Sequence, residues 1–145
     1  MIDPSKVYTI VCRKGNLGLF VPPGAENSPM PLQGMPCNDA PPIPIRCEHL
    51  GGDKYKLIPV YFPDRTIAAY HDASPKMLLL ASEQDAQNCH TEWGIDRNGS
   101  DCYEIHTVSG PGNEYWTLTG SGVPIELRGS EGLDTQQWLL RMVDA

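Results

Sequence analysis

The side chains best suited to metal or nucleophilic chemistry in this sequence are four histidines and five cysteines, and their spacing argues against both uses. His49, His71, His90 and His106 are far apart, and Cys12, Cys37, Cys47, Cys89 and Cys102 contain no C-x-x-C pair, the spacing a zinc or redox site favours. Cys89-His90 is the one adjacency, but neighbours on a strand face opposite ways, so no metal is expected. Serine-nucleophile, zinc-protease, phosphate-loop and dinucleotide patterns are all missing. The chain is therefore read as a non-enzyme with no catalytic residue and no cofactor. The thiols are expected to be mostly free, with one disulfide left open.

Recognition needs no catalytic group, only a loop of the right shape. Residues 22–44 read PPGAENSPMPLQGMPCNDAPPIP and hold eight of the 14 prolines. Proline fixes φ and removes a donor, so this segment predicts an ordered, extended loop around a poor strand. Its tip offers Glu26, Asn27, Ser28, Pro29 and Met30 as contact candidates. Secondary candidates are Lys14, Gly15 and Asn16, then Asn38, and then Arg128 with Gly129.

What must hold these loops is visible as a repeat. YTIVCR from Tyr8, YKLIPV from Tyr55 and YEIHTV from Tyr103 recur at intervals of 47 and 48 residues, which marks an internal repeat. Ile45, Trp93 and Trp138 close the three copies, and GGDK and RNGSD supply the turns between them. Short alternating runs bounded by Gly, Pro, Asn and Asp predict twelve strands and almost no helix. They are VYTIVC, LGLFV, MPLQG, PIPIRCEHL; KYKLIPV, RTIAAYH, KMLLLAS, TEWGIDR; and CYEIHTV, EYWTLTG, PIELRGS, QQWLLRMV. Four strands in each of three repeats, about 1–50, 51–98 and 99–145, predict an all-β fold, a β-trefoil filling residues 1–145 as one domain. Alternation places Tyr8, Ile10, Cys12, Tyr103, Ile105 and Thr107 inside, with Trp93, Ile95, Trp138 and Leu140.

Composition narrows the partners. A net charge of -7 with 11 scattered basic residues argues against nucleic acid, which needs clustered Lys and Arg. No apolar run reaches the roughly 20 residues of a membrane helix. The opening MIDPSKVYTIV lacks the apolar core of a secretory signal, so a cytoplasmic monomer is expected. Asn98-Gly99-Ser100 is read as a turn rather than a glycosylation site.

Tyr8-Thr9-Ile10 near the start, Gly51-Gly52-Asp53-Lys54-Tyr55-Lys56-Leu57 entering the second repeat and Trp138-Leu139-Leu140 in the last strand together resemble the fungal β-trefoil protease inhibitors, the mycospins and mycocypins. The longer, secreted, disulfide-linked plant Kunitz inhibitors fit less well. The resemblance implies a blocker of serine or cysteine proteases acting through surface loops. In mycospins a basic residue on the loop after the second strand, or on the one before the last, meets trypsin. Here GAENSPM has no basic residue, which leaves Arg128 for that role. Mycocypins wedge two loops into papain-like enzymes, and the matching positions are Lys14, Gly15 and Asn16 with Pro36, Cys37, Asn38 and Asp39. An exposed Asn, best matched by Asn27, serves some members against asparaginyl endopeptidase. The alternative is a carbohydrate-binding protein, because Gln136-Gln137-Trp138 resembles the Q-x-W motif of ricin-B-like lectins. His90 to Trp93 lacks the Gln and Ile45 lacks the Trp; Asp134, and Tyr115 near Trp116, would be the sugar contacts.

Overall fold

The computed structural model describes residues 2–25, 30–99, 102–108 and 114–143. In the first repeat the strands are β1 (Val7–Cys12), β2 (Leu17–Phe20), β3 (Gln33–Pro36) and β4 (Ile45–Gly51). The second holds β5 (Lys54–Pro59), β6 (Thr66–Tyr70), β7 (Leu79–Ala81), β8 (Cys89–His90) and β9 (Trp93–Arg97). The third holds β10 (Cys102–Thr107), β11 (Tyr115–Thr117), β12 (Glu126–Arg128) and β13 (Trp138–Met142). Antiparallel pairing runs from β1 through β4, β5, β9, β10 and β13 and back to β1, closing a six-stranded barrel. Strands β2–β3, β6–β7 and β11–β12 form three hairpins. This is the β-trefoil that the repeats predict.

The register explains the recurring tyrosines. Tyr8 stands opposite Ile45, Tyr55 opposite Trp93, and Tyr103 opposite Trp138. All six are buried, and removing each from water contributes on the order of 2 kcal/mol. The other positions expected inside, Ile10, Cys12, Ile95, Ile105, Thr107 and Leu140, are buried as well.

The hairpins are locked by a second threefold device. Leu32 donates its N–H to the Leu78 carbonyl (2.8 Å), Leu78 to Ile125 (2.9 Å) and Ile125 back to Leu32 (3.0 Å). All three residues are fully buried, so these backbone groups must pair with each other or go without. Above this ring, Trp93 and Trp138 pack edge-to-face on Trp116, with centroids 5.4 and 5.7 Å away. The indole N–H of Trp93 donates to the Ile67 carbonyl, and that of Trp138 to the Trp116 carbonyl.

Four strand assignments change, the first being MPLQG, read as residues 30–34, in whose place β3 runs Gln33–Pro36 because Leu32 commits both backbone groups to the ring between hairpins. β4 begins at Ile45 rather than at Pro42, because Pro42 and Pro44 have no N–H for a ladder. KMLLLAS contributes only Leu79–Ala81, since Leu78 commits both backbone groups to the ring between hairpins. The thirteenth strand, β8, is two residues long and pairs with β6, too short for any periodicity to reveal.

Candidate functional site

The turn between β1 and β2 is a single 3-10 turn, Lys14–Asn16. Gly15 and Asn16 have φ of 70° and 54°, the left-handed region that glycine enters freely and asparagine tolerates best among the rest. That backbone turns Lys14, Gly15 and Asn16 outward, and all three are exposed. The turn is fixed from below, where Arg13 donates its backbone N–H to the Gln137 carbonyl and its guanidinium to Gln137 Oε1, both at 2.8 Å.

The segment from β3 to β4 lies against this turn. The Cys37 thiol donates to the Asn16 carbonyl at 3.3 Å. Asp39 and Ala40 both donate to the Pro36 carbonyl (2.9 and 3.1 Å), and Ile43 donates to Leu19 (3.4 Å). Pro42 seats its ring on Gly18, where a Cβ would meet it at 2.7 Å. Two loops are thus joined into one edge, with Lys14, Gly15, Asn16, Asn38 and Asp39 exposed along it. The two loop sets that the sequence analysis pairs are adjacent in the fold.

Glu26, Asn27, Ser28 and Pro29 lie outside the described residues; Met30, which follows them, is exposed. Arg128 ends β12 opposite Tyr115. Its guanidinium sits 3.4 Å from a Glu126 oxygen and 4.0 Å from one of Glu131. Gly129 is exposed, and its carbonyl accepts from the side chain of Gln136.

The Q-x-W residues belong to the interior. Gln136 is buried and donates to Thr117 Oγ1 (3.0 Å) and the Gly129 carbonyl (2.8 Å), while its Oε1 accepts the Glu131 N–H (2.7 Å). Trp138 and Trp116 are fully buried. Asp134 is exposed in the short 3-10 turn before β13, and Tyr115 leans on His106 with centroids 5.3 Å apart. His106 is fixed between Asp96, 2.8 Å from Nε2, and the Thr107 carbonyl, 2.8 Å from Nδ1.

A second cluster lies in the second repeat, and no sequence signal marks it. The His71 and His90 rings touch at 4.3 Å, Lys76 Nζ is 3.4 Å from His90 Nε2, and Lys76 pairs with Glu114 of the third repeat at 2.8 Å. Burial first, then the charges of His71 and Lys76, hold the His90 imidazole below its ordinary value, against the opposite pull of Glu114. The neighbouring Cys89 turns the other way, donating to the Asp85 carbonyl, and burial pushes its thiol up to about 11. Beside this cluster Tyr70, Asp72, Ala73 and Asn88 line an open hollow of about 320 Å³. Partners 38 residues apart, such as Lys76 and Glu114, meet only because two repeats pack together.

All five cysteines are free. Among the described residues no group of three or more His, Cys, Asp or Glu is placed to hold a metal, and no helix is long and apolar enough to cross a membrane.

No protein-family model matches the chain, and no curated protein sequence does either. Solved structures do. A designed threefold-symmetric protein, ThreeFoil, superposes with TM-score 0.76 at 19% identity, covering 99% of this chain and all (100%) of that one. The Macrolepiota procera ricin B-like lectin in complex with lactose gives 0.75 at 16%, covering 97% of each chain. The Rhizoctonia solani agglutinin gives 0.76 at 12%, covering 100% of this chain and 99% of that one. A mosquitocidal holotoxin also matches, with TM-score 0.80 at 15% identity, but this chain spans only 17% of its length. At such identities the likeness is one of fold.

Proposed function

We propose that this trefoil is a protease inhibitor whose contact surface is the edge joining the β1–β2 turn to the β3–β4 segment. The observation that carries the proposal is the Cys37 thiol on the Asn16 carbonyl, with Pro42 seated on Gly18 beneath it. Loops already tied together lose less conformational freedom when a cleft closes around them. A narrow two-loop edge suits the open active-site groove of a papain-like cysteine protease, and the chain needs no reactive group of its own to block it. Lys14, Gly15 and Asn16 would enter from one side and Asn38 and Asp39 from the other.

The test is a titration of papain with the purified protein on a small fluorogenic substrate. Saturable inhibition at micromolar concentration or below is expected, weakened at least tenfold in Asn38→Glu, a surface change that leaves the thermal unfolding midpoint within a degree or two. No inhibition, or inhibition indifferent to Asn38→Glu and to Gly15→Glu, would remove the reading.

A second reading rests on the hollow lined by Tyr70, Asp72, Ala73 and Asn88. An aromatic face beside a carboxylate and an amide is the chemistry that holds a sugar ring, and two of the similar folds are a lectin and an agglutinin. On that reading lactose should bind with millimolar affinity or better, and Asp72→Ala should abolish it. The Q-x-W residues do not support it, because Gln136 has its side-chain groups taken up inside the protein.

A further inference from the structure

His90 is buried, at 4% exposure, and one of its ring nitrogens faces a cation. Lys76 Nζ lies 3.4 Å from His90 Nε2 and 2.8 Å from Glu114 Oε1. An ammonium has donors and no acceptor, so Nε2 must accept at this contact, which makes the ring the neutral tautomer with its proton on Nδ1. One lysine therefore bridges the second repeat to the third, donating to an imidazole on one side and a carboxylate on the other.

All three partners are anchored through their backbones. His90 stands in β8 opposite Ala69, and the Lys76 carbonyl accepts the Leu127 N–H of β12 at 2.8 Å. Glu114 exchanges two bonds with Thr107, its carbonyl accepting the Thr107 N–H (3.0 Å) and its own N–H donating to the Thr107 hydroxyl (3.2 Å). The charged or titratable side chains facing His90 are His71 at the end of β6, whose ring touches it at 4.3 Å, then Lys76 before β7 and Glu114 before β11. Cys89 turns away to the Asp85 carbonyl, and Glu126, opposite Met77, pairs with Arg128.

We propose that His90, Lys76 and Glu114 form an acid-released latch between the second and third repeats. The latch is independent of which surface binds a protease or a sugar. A proton arriving on Nε2 aims an N–H at an ammonium that cannot accept it, and sets two cations, or three with His71, beside one carboxylate. Because the backbones on both sides are fixed, the groups cannot drift apart to relieve that repulsion. Burial, then His71 and Lys76, hold the imidazole below its ordinary value of 6.5. The unfolded chain thus takes up a proton near pH 6.5 that the folded chain refuses. The latch is whole above that pH and weakens as pH falls, until the folded imidazole is itself protonated.

The test follows urea unfolding of the parent and of Lys76→Met from pH 7.5 to pH 5, together with an NMR titration of the His90 ring in both and in Glu114→Gln. Over that range the unfolding constant of the parent should rise about threefold more than that of Lys76→Met, from which the opposing ammonium is gone. The His90 ring should titrate below 6.5 in the parent, move up in Lys76→Met and move further down in Glu114→Gln. A purely structural lysine would lower stability equally at every pH and leave the two pH profiles parallel. Parallel profiles, or a His90 that titrates in Lys76→Met where it does in the parent, would overturn the latch. The parent alone also decides, should a variant fail to fold: a His90 ring protonated at or above pH 6.5 would refute the proposal.

Discussion

At the scale of single residues, the buried polar side chains serve the fold. Gln136 is the plainest case, a motif residue whose side chain closes the turn from Gly129 to Glu131 onto Thr117. Its identity was legible, but its orientation was not, because only the packing of β11 beneath it decides whether the amide faces in or out. The alternating Tyr8, Ile10, Cys12 set was legible for the opposite reason: alternation is a property of the strand itself. The cysteines give a prediction at this scale. Burial pushes the Cys47 thiol up to about 12, against an ordinary value of 9.0. Between those values the unfolded chain releases a proton that the folded chain keeps, so this contribution is whole below about pH 9 and is lost as pH rises toward 12. Urea midpoints measured from pH 8 to pH 11 should fall, and fall less steeply in Cys47→Ala; parallel slopes for the two proteins would count against it.

At the scale of elements, the strands were read from runs bounded by turn residues, and most fell within a few residues of their observed limits. The failures share a cause. Leu78 looks like strand, but its backbone pairs with other hairpins, and β8 is set by its contact with β6. Likewise the joining of the β1–β2 turn to the β3–β4 segment depends on a thiol and a carbonyl 21 residues apart, for which local pattern has no signature. Contacts between repeats can be measured directly. Lys76 and Glu114 pair at 2.8 Å with side chains 18% and 25% exposed, so a double-mutant cycle of Lys76→Met and Glu114→Gln should return a coupling of roughly 1 kcal/mol. A coupling indistinguishable from zero would mean that this ion pair adds nothing to the backbone hydrogen bonds and apolar packing that join the second and third repeats.

At the scale of the whole molecule, each repeat lends one strand pair to the barrel and one hairpin to the cap, so no repeat can bury its apolar face alone. The threefold ring of Leu32, Leu78 and Ile125 shows that dependence in three hydrogen bonds. The scaffold was legible because its demands repeat, three times over, in Tyr8, Tyr55 and Tyr103. The loops were not, since each occurs once and no second copy confirms its reading. The proposed inhibitor role predicts which part of this surface a protease would cover. Hydrogen–deuterium exchange of the protein mixed with active-site-blocked papain answers that most directly. The amides of residues 13–18 and 37–43 should become protected together, while those around Tyr70, Asp72 and Asn88 exchange as before. Absence of protection on that edge, or protection centred on the hollow of the second repeat, would contradict the account.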